Sequence, residues 1–114
     1  MTTKQTTRKL TYYTDPGHGW LAVDRDDLDA LNIAHKITPY SYERGNRVYL
    51  EEDLDAMTYL DAARAAGWRV TTRESYSDRS TIRHMNHYQR RVTPATLIAA
   101  AQRMGMLHIV SVKG

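Results

Sequence analysis

The segment Tyr40 to Trp68 leaves this chain the fewest choices. Gly45-Asn46 sits between two short runs rich in Tyr and Val. A Gly-Asn pair tolerates the positive φ that tight hairpins need, so the spacing predicts a two-residue β-turn. A helix is expected straight after it. Leu54, Met57, Leu60 and Ala63 recur at three-residue steps, Ala56 widens the apolar stripe, and Gly67 stands where a left-handed helix end belongs. A hairpin followed by an amphipathic helix can nucleate a core.

The same grammar extends outward. Leu10 to Tyr13 and Trp20 to Val23 read as strands around the turn Asp15-Pro16-Gly17-His18-Gly19. Asp24 is placed to cap a short helix whose first turn holds Asp26 and Asp27, with Leu28, Leu31 and Ile33 inward and Asn32 at a left-handed exit. Ile37 to Pro39 leads into the hairpin, where Tyr40, Tyr42, Val48 and Leu50 are candidates for its two faces. Trp68 to Glu74 alternates with period two and predicts a half-exposed strand. Ser75 to Ser80 reads as a turn. Thr81 to Tyr88 fits either a helical stripe of Ile82, Met85 and Tyr88 or a strand with Ile82, His84 and Asn86 on one face, and the favoured reading is a strand pairing back onto residues 68–74. Thr93-Pro94 opens a late helix with Leu97, Ile98, Ala101 and Met104 as its apolar face, and Leu107 to Val112 suits a last strand. Residues 1–7, Thr-rich and without apolar anchors, are expected to be a disordered leader, with 8–114 a single domain. The expected fold is therefore α+β: an antiparallel sheet of five to seven short strands with two or three helices packed on one face.

Composition excludes several classes. There is no Cys, so there is neither a disulfide framework nor a thiolate metal site, which fits a reducing, cytoplasmic setting. No apolar run approaches a membrane span, and the polar start is not a signal peptide. Eight Tyr and no Phe suggest aromatic surface with polar tips, suited to an interface as well as to strands.

The net charge of +3 is unevenly spread. Glu43 to Arg64 holds six acids against three bases, whereas Arg69 to Arg91 holds six arginines against Glu74 and Asp78. Arg69, Arg73, Arg79, Arg83, Arg90 and Arg91, with His84, His87 and Tyr88 interleaved, are the candidate binding residues. Cations gathered on one face displace counterions from a polyanion, and flat side chains offer bases a stacking surface. The partner expected is nucleic acid or a nucleoprotein complex; the competing reading is a solvated face paired with the acidic helices. Tyr40 and Tyr42 are candidates for a protein interface, with a homodimer as the alternative. The acids Glu51, Glu52, Asp53 and Asp55 fit a helix N-terminus better than a carboxylate pair, Asp53 being the expected cap. No catalytic constellation, metal set or cofactor motif is legible. His84 and His87 lack further ligands at metal spacing, and the Asp15–Gly19 turn lacks a phosphate-binding pattern.

Two resemblances add context. Trp20-Leu21-Ala22-Val23-Asp24-Arg25, followed by Leu28, Leu31 and Ile33, resembles the strand–helix unit of swapped-hairpin transcription factors of the AbrB type. It departs from them at Ile37-Thr38-Pro39-Tyr40, where that family shows a Gly-Asp turn, so no DNA-contact residue carries over. More broadly, Tyr-Tyr-Thr-Asp-Pro-Gly-His-Gly-Trp-Leu, Ile-Thr-Pro-Tyr-Ser-Tyr and Val-Tyr-Leu-Glu-Glu-Asp-Leu-Asp-Ala look like phrases in short uncharacterised proteins of bacterial phages and plasmids. That similarity implies a setting, a mobile element in a bacterial cytoplasm, where small binding proteins regulate genes or inhibit host defence (an anti-CRISPR role is one concrete form). It transfers no activity.

Overall fold

The structure, a computed structural model, describes residues 5–91. The helix expected from Thr93-Pro94 and the strand expected at Leu107 to Val112 lie outside the described residues. Within them the chain is an α+β domain. Six strands form one sheet: β1 (Thr7–Thr14), β2 (Gly19–Asp24), β3 (Tyr42–Arg44), β4 (Arg47–Glu51), β5 (Arg69–Tyr76) and β6 (Asn86–His87), in spatial order β5-β1-β2-β4-β3-β6. Two helices, α1 (Arg25–Ala30) and α2 (Asp55–Ala65), pack on one face. β1 opens at Thr7, inside the expected leader, and its start is tied down by the Arg69 amide donating to the Thr6 carbonyl.

The local punctuation acts as its residues require. Gly45 has φ +60°, Asn32 +58° and Gly67 +79°, so the hairpin and both helix exits use the left-handed region. The sheet is antiparallel throughout except at β1–β5, which run parallel in register from Thr7 against Arg69 to Thr14 against Tyr76. β4 and β5 point the same way, so α2 is a crossover that carries the chain past β2 and β1.

The core lies between helices and sheet: Leu21, Val23, Val48 and Leu50 from the strands meet Leu28, Ile33, Ile37, Ala56, Tyr59 and Ala63. The buried stripe of α2 differs from the expected one. Leu54 and Met57 are exposed, whereas Ala56, Tyr59 and Ala63 are buried. Three-residue steps drift around a helix: at about 100° per residue, Leu54 and Ala63 lie on opposite sides, while steps of three and four keep Ala56, Tyr59 and Ala63 together.

The acidic run at the start of α2 divides its work. Glu51, not Asp53, caps the helix: its carboxylate accepts from the amides of Asp53, Leu54 and Asp55 at 2.7–2.9 Å. Asp55 is fully buried, and its Oδ2 accepts from the Thr38 amide, Thr38 Oγ1 and Ser41 Oγ. It latches the segment before β3 to the helix.

Residues 80–88 do not pair with 68–74. After β5 the chain crosses to the opposite sheet edge, makes a 3-10 turn at Thr81–His84, and adds β6 beside β3, with Tyr42 opposite His87 and Glu43 opposite Asn86. Two specific anchors outcompete the local pairing. Arg83 forks onto Asp15 at 2.7 and 3.0 Å, and Ile82 is buried.

Candidate functional site

Strand register decides which side chains share the sheet face opposite the helices. Leu21 and Val23 point to the core, so Trp20 and Ala22 point away from it, as do their partners. Tyr13 lies opposite Trp20, and Ala22 opposite Tyr49, which lies opposite Tyr42, itself opposite His87. On the β5 side Arg69, Thr71 and Arg73 stand opposite Thr7, Lys9 and Thr11. Asp24, Arg47 and Arg44 share another row. Among the described residues neither α1 nor α2 packs on this face; the 3-10 turn Thr81–His84 covers it only at Trp20.

The face has two parts. Around Trp20 it is aromatic and strapped. Trp20 is buried beneath the returning segment, with the Arg83 guanidinium 5.7 Å from its ring centroid and Tyr42 edge-on at 6.4 Å. His87 stacks on Tyr42 with ring centroids 4.8 Å apart, while its Nδ1 lies 2.7 Å from the Pro39 carbonyl oxygen. Toward β5 the face is open and basic: Lys9, Arg69 and Arg73 are exposed and form no ion pair among the described residues. Tyr13 on β1 borders the basic part and Tyr49 on β4 lies within the aromatic part; both are half-buried, their rings 6.0 Å apart and tilted by 56°.

The candidate residues from the sequence are thus dispersed rather than gathered. Arg69 and Arg73 stay together on β5. Arg83 is across the sheet and bound to Asp15, whose carboxyl it holds well below the usual carboxylate range with help from the Gly17 and His18 amides. Arg91 reaches Glu43 at 3.5 Å, beside the buried Arg25–Glu43 pair at 2.7 Å. Burial works to raise the Glu43 pKa, but the Gln89 amide and the two arginines hold it below its ordinary value. Tyr88 is a core residue, its hydroxyl donating to the Ala34 carbonyl. Arg79, His84 and Arg90 are exposed, Arg79 and His84 on the return and Arg90 after β6. Of the two interface candidates, Tyr40 is 76% exposed, whereas Tyr42 belongs to the aromatic row. Sequence reasoning missed Lys9, Tyr13 and Tyr49. The alternation of β1, with Lys9, Thr11 and Tyr13 against Leu10 and Tyr12, carried the signal.

A cleft of about 440 Å³ opens at one end of the sheet, lined by His18, Trp20, Tyr40, Tyr42, Glu51–Leu54 and Arg83. Among the described residues, no three His, Asp or Glu side chains are grouped to hold a metal ion, and no helix is long and apolar enough to cross a membrane. No protein family, no curated protein and no solved structure matches this chain.

Proposed function

We propose that this protein is a non-enzymatic binder of single-stranded nucleic acid, or of a nucleoprotein that presents such a strand, and that the sheet face opposite α1 and α2 is its platform. The observation that carries this reading is the cluster Lys9, Arg69 and Arg73, exposed and without ion-pair partners among the described residues, with Tyr13 next to it on β1 and Tyr49 beyond Tyr13 on the same face. Single-strand binding asks for this pairing: cations track the phosphates while aromatic faces take the bases. The site is smaller than the run of arginines suggested, because four of those six lie elsewhere: Arg83 and Arg91 in ion pairs, Arg79 on the return and Arg90 after β6. The sequence resemblance to proteins of phages and plasmids supports a mobile element as the setting and a regulator or defence inhibitor as the role.

The test is a titration of fluorescent single-stranded oligonucleotides across salt concentrations. Affinity should fall steeply with salt, and the triple substitution Lys9→Ala, Arg69→Ala, Arg73→Ala should flatten the log–log slope by about 2, at roughly 0.7 per lost phosphate contact. Tyr13→Ala and Tyr49→Ala should each weaken binding by about 1–3 kcal/mol with little change of slope. Absence of binding at low salt would sink the direct nucleic-acid reading. The homodimer reading keeps one observation, the exposed Tyr40 and the exposed Leu54, which line one cleft. Light scattering on the wild type and on Tyr40→Ala decides it.

A further inference from the structure

We propose that the cleft between the Asp15–Gly19 turn and the start of α2 binds an organic cation: a guanidinium or alkylammonium group carried on an apolar shaft. The cleft holds about 440 Å³, room for one such side chain. Its charge is opposite in sign to that of the whole protein. Glu51, Glu52 and Asp53 line it, and its one full cation, Arg83, is already matched by Asp15 through two hydrogen bonds. Glu51 spends its oxygens on the amides of α2. Glu52 Oε2 accepts from the Tyr12 hydroxyl, and among the described residues nothing engages its other oxygen or the Asp53 carboxylate. Two acceptors therefore remain for a ligand.

The opposite wall is aromatic. Tyr42 meets Trp20 edge to face at the back of the cleft, where Trp20 is buried under the Arg83 guanidinium, so the ring most open to a ligand is that of Tyr40 at the rim, 76% exposed. Leu54, also exposed, supplies an apolar lip. Aromatic faces attract cations through their quadrupole, and carboxylates across a partly desolvated gap add direct Coulombic attraction. The same acids repel phosphate, so this cleft and the basic face on β1 and β5 select different partners. The inference goes beyond the nucleic-acid reading and does not depend on it.

The probes are butylguanidinium, butylammonium, pentanol and butyrate, titrated into the full chain while the Trp20 indole and Gly19 amide resonances are followed by NMR. Both cations should saturate these signals, pentanol should bind at least about tenfold more weakly, and butyrate should leave them unmoved. Glu52→Gln with Asp53→Asn should weaken the cations by about tenfold, and Arg73→Ala should not. Asp53→Asn alone, at an exposed side chain, keeps the test readable if the double variant is poorly folded. Butyrate or pentanol binding as tightly as the cations, or an Asp53→Asn variant with unchanged affinity, overturns the proposal. A five-residue peptide with one Arg between apolar residues distinguishes the source. Affinity ten times that of butylguanidinium or more assigns the site to a protein side chain; equal affinity assigns it to a free small cation.

Discussion

Single side chains set the strongest constraints here, and most of them are charged. Asp55 is the clearest case. Its carboxylate is fully buried and accepts three hydrogen bonds from Thr38 and Ser41 through one oxygen. Removing it strands those donors away from water, so Asp55→Ala should cost about 3 kcal/mol in a urea unfolding titration. Tyr59 is a second case. Its ring fills the core and its hydroxyl donates to Asp27, which Arg8 also holds through a two-pronged ion pair. Tyr59→Phe should cost only about 1 kcal/mol, because Arg8 still satisfies Asp27, whereas Tyr59→Ala should cost about 3–5 kcal/mol through the cavity it leaves. The ratio of the two losses measures packing against hydrogen bonding at one position.

Among the elements, the hairpin of β1 and β2 is the most tightly specified. A Cβ added at Gly19 would fall 2.6 Å from Cζ of Tyr12, so the aromatic ring and the glycine are made for each other. Gly19→Ala should destabilise by about 1–3 kcal/mol, and adding Tyr12→Leu should recover part of that loss, a non-additivity that a double-mutant cycle reads directly. Leu54, at the N-cap of α2, and Met57 inside the helix are exposed despite their hydrophobicity. Leu54→Gln and Met57→Gln should therefore shift the unfolding midpoint by less than about 0.5 kcal/mol, whereas Ala63→Gln would have to open the core. An unequal response along one helix is the signature of the drifting three-residue step.

For the molecule as a whole, pH reports on the charge network. Asp15 and Glu43 have folded pKa values below their ordinary ones, held down by Arg83, Arg25 and backbone amides. A carboxylate so depressed stabilises the fold above its unfolded pKa and loses that contribution as pH falls. Stability should decline as pH drops through and below about 4, and Asp15→Asn should flatten that decline. At the other end Tyr12 is pushed up to about 12, chiefly by burial and then by its hydrogen bond to Glu52, and Tyr59 is raised for similar reasons. Their neutral forms belong to the fold. Their contribution is complete below about pH 10 and is lost as pH rises from there toward 12, which alkaline unfolding monitored by tyrosinate absorbance should show.

What the amino-acid order determined by itself was local. The left-handed φ at Asn32, Gly45 and Gly67, the acidic first turn of α1 and the presence of a strand at β5 each depend on a few neighbouring residues, so each was legible in the sequence; the alternation expected along β5 does not appear in its burial, since Thr72 and Glu74 are exposed. Only the tertiary structure decided which strand β6 joins, which arginines keep their charge for a partner, and that Tyr13, Tyr49 and Lys9 share a face. Those outcomes hang on contacts between residues far apart in the chain, such as Arg83 with Asp15. The energy of such a contact exists only once the sheet has brought its two ends together, so no window of sequence contains it.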